Sequence, residues 1–131
     1  MTANAAPRSR PDESAVLVVE DEALIRLMLI DALEDHGYRV FAAERADAAV
    51  RLLEENEDIG LVVTDVRMPG AMDGLRLAQW IREHRPGTKV VVTSGYVSRG
   101  EQKAFAAEFD RFVGKPYAVT ELIEVLRSLR D

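Results

Sequence analysis

Cysteine is absent from this chain of 131 residues. That excludes a disulfide framework, a thiolate metal site and a cysteine nucleophile. Lysine is scarce, three residues against fourteen arginines, so each one is informative, and Lys115 stands out. Histidine occurs only at positions 36 and 84. Both fall at the ends of predicted helices, where they suit the helix dipole, and neither is placed to serve as a base. No apolar run approaches the roughly 20 residues that span a bilayer. The opening MTANAAPRSRPDES lacks the apolar stretch of a signal peptide. A basic surface is missing too: the net charge is -6, which repels nucleic acid and anionic membrane. These absences point to a cytoplasmic protein that binds neither nucleic acid nor membrane.

What is present is enough for one folded domain: the length suits a single core, and 47% of the residues are hydrophobic. Residues 1–13 are small and polar and include Pro7 and Pro11. They read as a disordered tail, which leaves 14–131 as the domain. From Ser14 onward the chain alternates. The run AVLVV precedes a helical pattern at 22–36, closed by Gly37. YRVFAA precedes a helix at 46–56, and GLVVT precedes a loop with Pro69 and a helix at 74–84. KVVVT leads to a short helix at 100–107, and RFVG to a last helix at 119–130.

Five strands alternating with five helices predict an α/β fold with a parallel sheet covered on both faces. The continuous apolar runs VLVV, LVV and VVV suit central strands. YRVFA and DRFV carry charges, as edges do. The doubly wound, flavodoxin-like (βα)5 order 2-1-3-4-5 satisfies both constraints.

In such sheets chemistry sits beyond the carboxyl ends of the strands. The first strand leaves at Glu20 and Asp21, the third at Asp65, the fourth at Ser94 and the fifth at Lys115. Singly, each has an ordinary explanation as a helix cap, a turn residue or a solvated charge. The same strand-end position is polar on four strands, and that recurrence points to a site. Two carboxylates ~5 Å apart repel by roughly 3 kcal/mol at an effective dielectric of 20. Three so placed must either shift their pKa values or gather a cation. With oxygen donors and no nearby His or Cys, the cation expected is hard and divalent. Mg²⁺ fits best.

Asp65 is the candidate nucleophile. A serine would need a base, whereas a carboxylate is already ionised at neutral pH. Attack on phosphorus would give an acyl phosphate. Mg²⁺ and Lys115 would neutralise the transferring oxygens, and Ser94 could donate a hydrogen bond to one of them.

The stretches VLVVEDE, LVVTDVRMPG…DGL, VVVTSGY and FVGKPY, in this order and spacing, resemble the receiver domain of bacterial response regulators. The resemblance covers about 14–130. It implies Asp65 as phosphoacceptor, Asp21 and Asp65 as direct Mg²⁺ ligands, Glu20 acting through water, and the backbone carbonyl of Arg67 as a further ligand. Mn²⁺ is the alternative ion. It also implies Ser94 as switch hydroxyl, Lys115 as the phosphate-pairing lysine, Phe112 as switch aromatic and a cis Lys115–Pro116 peptide. The implied function is phosphoryl-accepting signalling in a two-component system or phosphorelay, assisting only its own phosphorylation and dephosphorylation. The donor would be a sensor histidine kinase or a histidine phosphotransfer protein. A downstream protein would dock on the face made by the fourth predicted helix, the fifth strand and the last helix. With the chain stopping at Asp131, a single-domain receiver or the receiver of a hybrid kinase is expected.

Two departures stand out. MPGAMDGL is one residue longer than the family's commonest loop, although Asp73 still suits a helix N-cap. Gly95 stands where alanine is commoner, and Tyr96 after it could shield the acyl phosphate or merely cover the loop. Phe105 and Phe109 read as core. Two rival readings share parts of this pattern. A haloacid-dehalogenase-like phosphatase needs a second Asp where this chain has Arg67. A flavodoxin-like FMN module needs a phosphate loop where this chain has EDE.

Overall fold

The computed structural model describes residues 12–66, 73–95 and 109–130. The elements run β1 (Asp12–Val19), α1 (Ala23–Asp35), β2 (Arg39–Ala43), α2 (Ala46–Glu55), β3 (Ile59–Asp65), α3 (Gly74–His84), β4 (Lys89–Ser94), β5 (Arg111–Gly114) and α4 (Val119–Arg130). The five strands form one parallel sheet in the order β2-β1-β3-β4-β5, the predicted order. β1 begins two residues before the expected boundary at 14, because Asp12 pairs with Ile59 ahead of a register shift. The predicted helix at 100–107, with Phe105, lies outside the described residues. So do Arg67, Met72 and Tyr96.

The apolar runs are continuous because each central strand is covered twice. Successive strand side chains point to opposite faces. Val16, Val18, Leu61, Val63 and Val91 pack with Leu29 and Leu33 of α1 and Leu122 and Leu126 of α4. Leu17, Val19, Val62, Val90 and Val92 pack with Leu53 of α2 and Leu77 and Ile81 of α3. These side chains are almost wholly buried, each contributing about 1.5–3 kcal/mol relative to exposure. β2 and β5 stay partly exposed, as the two edges should.

The helix ends are specified locally. Gly37, at φ 90, follows α1. Its N–H donates to Glu34 O at 3.0 Å, and the Tyr38 N–H donates to Leu33 O at 3.1 Å. This paired C-terminal motif needs the left-handed residue. Asp73 caps α3 by accepting from the Arg76 N–H at 2.9 Å, as the sequence predicts. His36 and His84 each place Nδ1 2.9 Å from a carbonyl one turn back, Ala32 O and Trp80 O. Both therefore belong to helix C-termini. Phe109 packs half-buried against the second core, in keeping with the core reading.

Candidate functional site

The pairing register sets the site. Val19 aligns with Thr64, Asp65 with Thr93, and Ser94 with Gly114. The residues that leave β1, β3, β4 and β5 therefore reach one rim of the sheet together. The backbone holds that rim in place. The Lys115 N–H donates to Ser94 O at 2.8 Å, the Val66 N–H to Thr93 O at 2.9 Å, and the Glu20 N–H to Ala43 O at 3.0 Å.

Lys115 occupies the middle of this arrangement. Its Nζ donates to Asp65 Oδ2 at 2.6 Å and lies 3.6 Å from Glu20 Oε1. The other Glu20 oxygen accepts from the Glu22 N–H at 3.1 Å. Glu20 is only 3% exposed, so burial, the largest influence, raises its pKa; the neighbouring Asp65 charge adds to the rise, while the Glu22 N–H and Lys115 work against it. For Lys115 burial works downward but is outweighed, and its hydrogen bond and charge attraction to Asp65, with help from Glu20, leave the pKa raised. Tyr117 is raised as well, chiefly by burial.

The three carboxylates expected at this rim differ in exposure. Glu20 is buried, Asp65 is partly buried, and Asp21 is exposed. Among the described residues no group of three His, Asp or Glu side chains is gathered closely enough to hold a metal ion as it stands. The Asp21 side chain lies against the Glu20 carboxyl and adds to the rise in its pKa, while Glu20 and Asp65 both face a cation, the Lys115 ammonium. An all-oxygen, doubly anionic pair that already holds one positive charge fits a hard divalent ion in its donor chemistry.

Ser94 is buried at the end of β4, 3% exposed. Phe112 lies on β5 opposite Val92, half-buried against the second core, its ring 6.2 Å from that of Phe109. The Lys115–Pro116 peptide is cis, as expected.

Three contributors were not singled out from the sequence. A Cβ on Gly74 would lie 1.9 Å from the Asp65 carbonyl oxygen, so the start of α3 is pressed against the Asp65 backbone and only glycine fits. The glycine that follows the capping Asp73 was the available signal. Arg26 of α1 donates to Glu20 O at 2.8 Å, and Tyr117 flanks Lys115 beyond Pro116. Their roles depend on how α1 and the β5–α4 connection pack, which no local pattern encodes.

The arrangement has counterparts in known proteins. The model of the response regulator receiver domain matches residues 16–127. The transcriptional regulatory protein ResD of Bacillus subtilis is 33% identical over 119 residues, covering 90% of this chain and 48% of ResD. The chain thus spans about half the length of the first curated relatives it matches. The receiver protein CpdR of Brucella abortus is 30% identical over 115 residues, 87% of this chain and 94% of CpdR. Among solved structures, the response regulator TrrA of Thermotoga maritima, in complex with Mg²⁺–BeF, superposes with a TM-score of 0.79 at 30% identity. The match covers 88% of this chain and 97% of TrrA. With its sheet order, its strand-end site and a family match over most of its length, the chain belongs to the response regulator receiver domain family.

Proposed function

We propose that this chain accepts a phosphoryl group on Asp65 from a phosphohistidine side chain and converts it into a changed protein-binding surface. The observation that carries the reading is the 2.6 Å contact between Lys115 Nζ and Asp65 Oδ2 at the carboxyl rim of the sheet. A nucleophilic carboxylate there already has beside it the cation that the transferred group requires.

In the reaction one Asp65 oxygen bonds to phosphorus. The phosphorus–nitrogen bond breaks, and its electron pair passes to the departing imidazole. Lys115 then pairs with a phosphoryl oxygen in place of the carboxylate, and the Ser94 hydroxyl donates to another. Asp21 and Asp65 would hold Mg²⁺, or Mn²⁺ as the alternative, joined by Glu20 through water and by the Arg67 backbone carbonyl. When bound, the ion supplies positive charge against the phosphoryl oxygens. The Mg²⁺–BeF complex of TrrA supports that choice.

Receiver domains are signalling domains, and the chain acts as one in this reading rather than as a turnover enzyme. The donor is a sensor histidine kinase or a histidine phosphotransfer protein in the cytoplasm. No helix among the described residues is long and apolar enough to cross a membrane. The output is contact with a downstream protein on the face that includes β5 and α4, reached through Ser94 and Phe112 rather than through nucleic acid. The phosphatase alternative is disfavoured by Arg67, which stands where its second Asp is required.

Incubation with Mg²⁺ and acetyl phosphate, followed by intact mass, tests the assignment. One added phosphoryl group is expected in the parent and none in Asp65→Asn or after chelation. Undiminished labelling of Asp65→Asn would remove Asp65 from its role.

A further inference from the structure

At the amino ends of β4 and β5, the end of the sheet away from Asp65, a cavity of about 350 Å³ opens beside the C-terminus of α3. Pro86, Val90 and Phe109 give it apolar walls, and Arg82 and Asp110 stand at it as opposite charges. Two other polar side chains of the lining are already engaged. Thr88 Oγ1 donates to Ile59 O at 2.9 Å, and Lys89 Nζ donates to Leu129 O at 2.9 Å. Asp110 is held against β4: its N–H donates to Val90 O at 2.8 Å, and its Oδ2 accepts from the Val90 N–H at 2.7 Å. Its Oδ1 has no hydrogen bond among the described residues, and Arg82 has neither a hydrogen bond nor an ion pair among them. A guanidinium and a fixed carboxylate oxygen thus line one cavity without pairing.

We propose that this cavity binds a zwitterionic small molecule with an apolar body, an α-amino acid with an aromatic or large aliphatic side chain. The ligand's carboxylate takes the Arg82 guanidinium, whose forked N–H donors suit such a group. Its ammonium donates to Asp110 Oδ1, and its side chain covers Phe109, Val90 and Pro86. A ligand with only a negative charge meets Asp110 as a like charge, and one with only a positive charge meets Arg82. A ligand with both signs gains from both walls. The volume lies in the range of small-molecule sites, and apolar walls with a few orienting polar groups are their usual composition. The Phe109 ring lies 6.2 Å from that of Phe112, so the apolar wall continues along β5 and occupancy is felt at Phe112. The cavity stands apart from Asp65, and its failure leaves the phosphoacceptor reading untouched.

The test titrates the full chain with L-phenylalanine at constant pH and salt and follows the backbone amides by heteronuclear NMR. Saturable shifts are expected at residues 88–90 and 109–112, with the amides of Ser94 and Lys115 unmoved. Two further probes each lack one charge: 3-phenylpropionate has no ammonium and phenethylamine no carboxylate. Each should bind about three- to tenfold more weakly than phenylalanine. Arg82→Gln should raise the Kd for phenylalanine by a similar factor and leave phenethylamine bound no more weakly. Asp110→Asn should do the same for phenylalanine and spare 3-phenylpropionate, because an asparagine carbonyl still accepts from the Val90 N–H. Arg82 is exposed, so its variant carries the test even if Asp110→Asn disturbs the pairing of β4 with β5. The absence of saturable shifts at millimolar phenylalanine overturns the site. So do equal affinities for phenylalanine and 3-phenylpropionate, an unchanged Kd in Arg82→Gln, or shifts confined to the Asp65 rim.

Discussion

A buried strand that ends in acids is stable here because one residue answers the charge. Lys115 reaches back from the end of β5 to Asp65 and Glu20. Its raised pKa sets a pH window. The unfolded value is ~10.4; below it the contribution of the ion pair is whole, and it is lost as pH climbs through the higher folded value. In chelator, Lys115→Met should therefore be less stable than the parent by about 2 kcal/mol at pH 8. The gap should narrow above about pH 10.5. Urea unfolding at pH 8 and pH 11 measures both points, and a gap that stays constant would contradict the pairing. Gly74 governs the site in another way. A methyl group there meets the Asp65 carbonyl oxygen at 1.9 Å, and backbone has to move. Gly74→Ala should lose about 2–4 kcal/mol and slow the labelling of Asp65. Unchanged urea midpoints would show that the start of α3 yields freely.

Elements were legible where their pattern was local. The central strands β1, β3 and β4 announce themselves by unbroken aliphatic runs, and α3 by a capping Asp. α1 is less transparent, because ALIRLMLIDAL is apolar nearly all round. Only Leu29 and Leu33 are buried, while Leu24 is 82% exposed. Which stripe turns inward is decided by the sheet beneath it and by α4 beside it. The α2–β3 connection depends on a residue far along the chain. Arg85, just after α3, donates to Leu53 O, to Glu57 O at 2.8 Å and to Ile59 O at 3.2 Å. A single guanidinium thus satisfies carbonyls at the end of α2 and the start of β3. Arg85→Ala should cost about 2 kcal/mol, with hydrogen exchange fastest at 53–60. Exchange that rises evenly across all helices would refute a local clamp.

At the scale of the whole molecule, the site is a meeting of four strand ends, so a cation bound there ties together segments far apart in sequence. A ligand that binds only the folded state stabilises it by about 2.7 kcal/mol at a hundredfold excess over Kd, worth several degrees in Tm. Mg²⁺ should raise the melting temperature of the parent by that order. The rise should be much smaller in Asp21→Asn, whose carboxylate is exposed at the rim. Scanning calorimetry with and without chelator measures it, and an equal rise in both proteins would remove Asp21 from the ligand set.

The sequence by itself determined the alternation, the central and edge strands, and the residues at each strand's carboxyl end. Those features depend on period, on hydrophobic runs and on the rule that parallel strands end together, all of which act locally or through topology. Only the tertiary structure decided that Glu20 is buried while the adjacent Asp21 is exposed, and that Lys115 is the cation between Glu20 and Asp65. It also decided that Gly74 must lack a side chain and that Tyr117 walls a groove beside Lys115. These outcomes turn on separations of a few ångströms between residues up to about a hundred positions apart. Such distances follow from the register of the sheet and the packing of helices across it, which no run of neighbouring residues encodes.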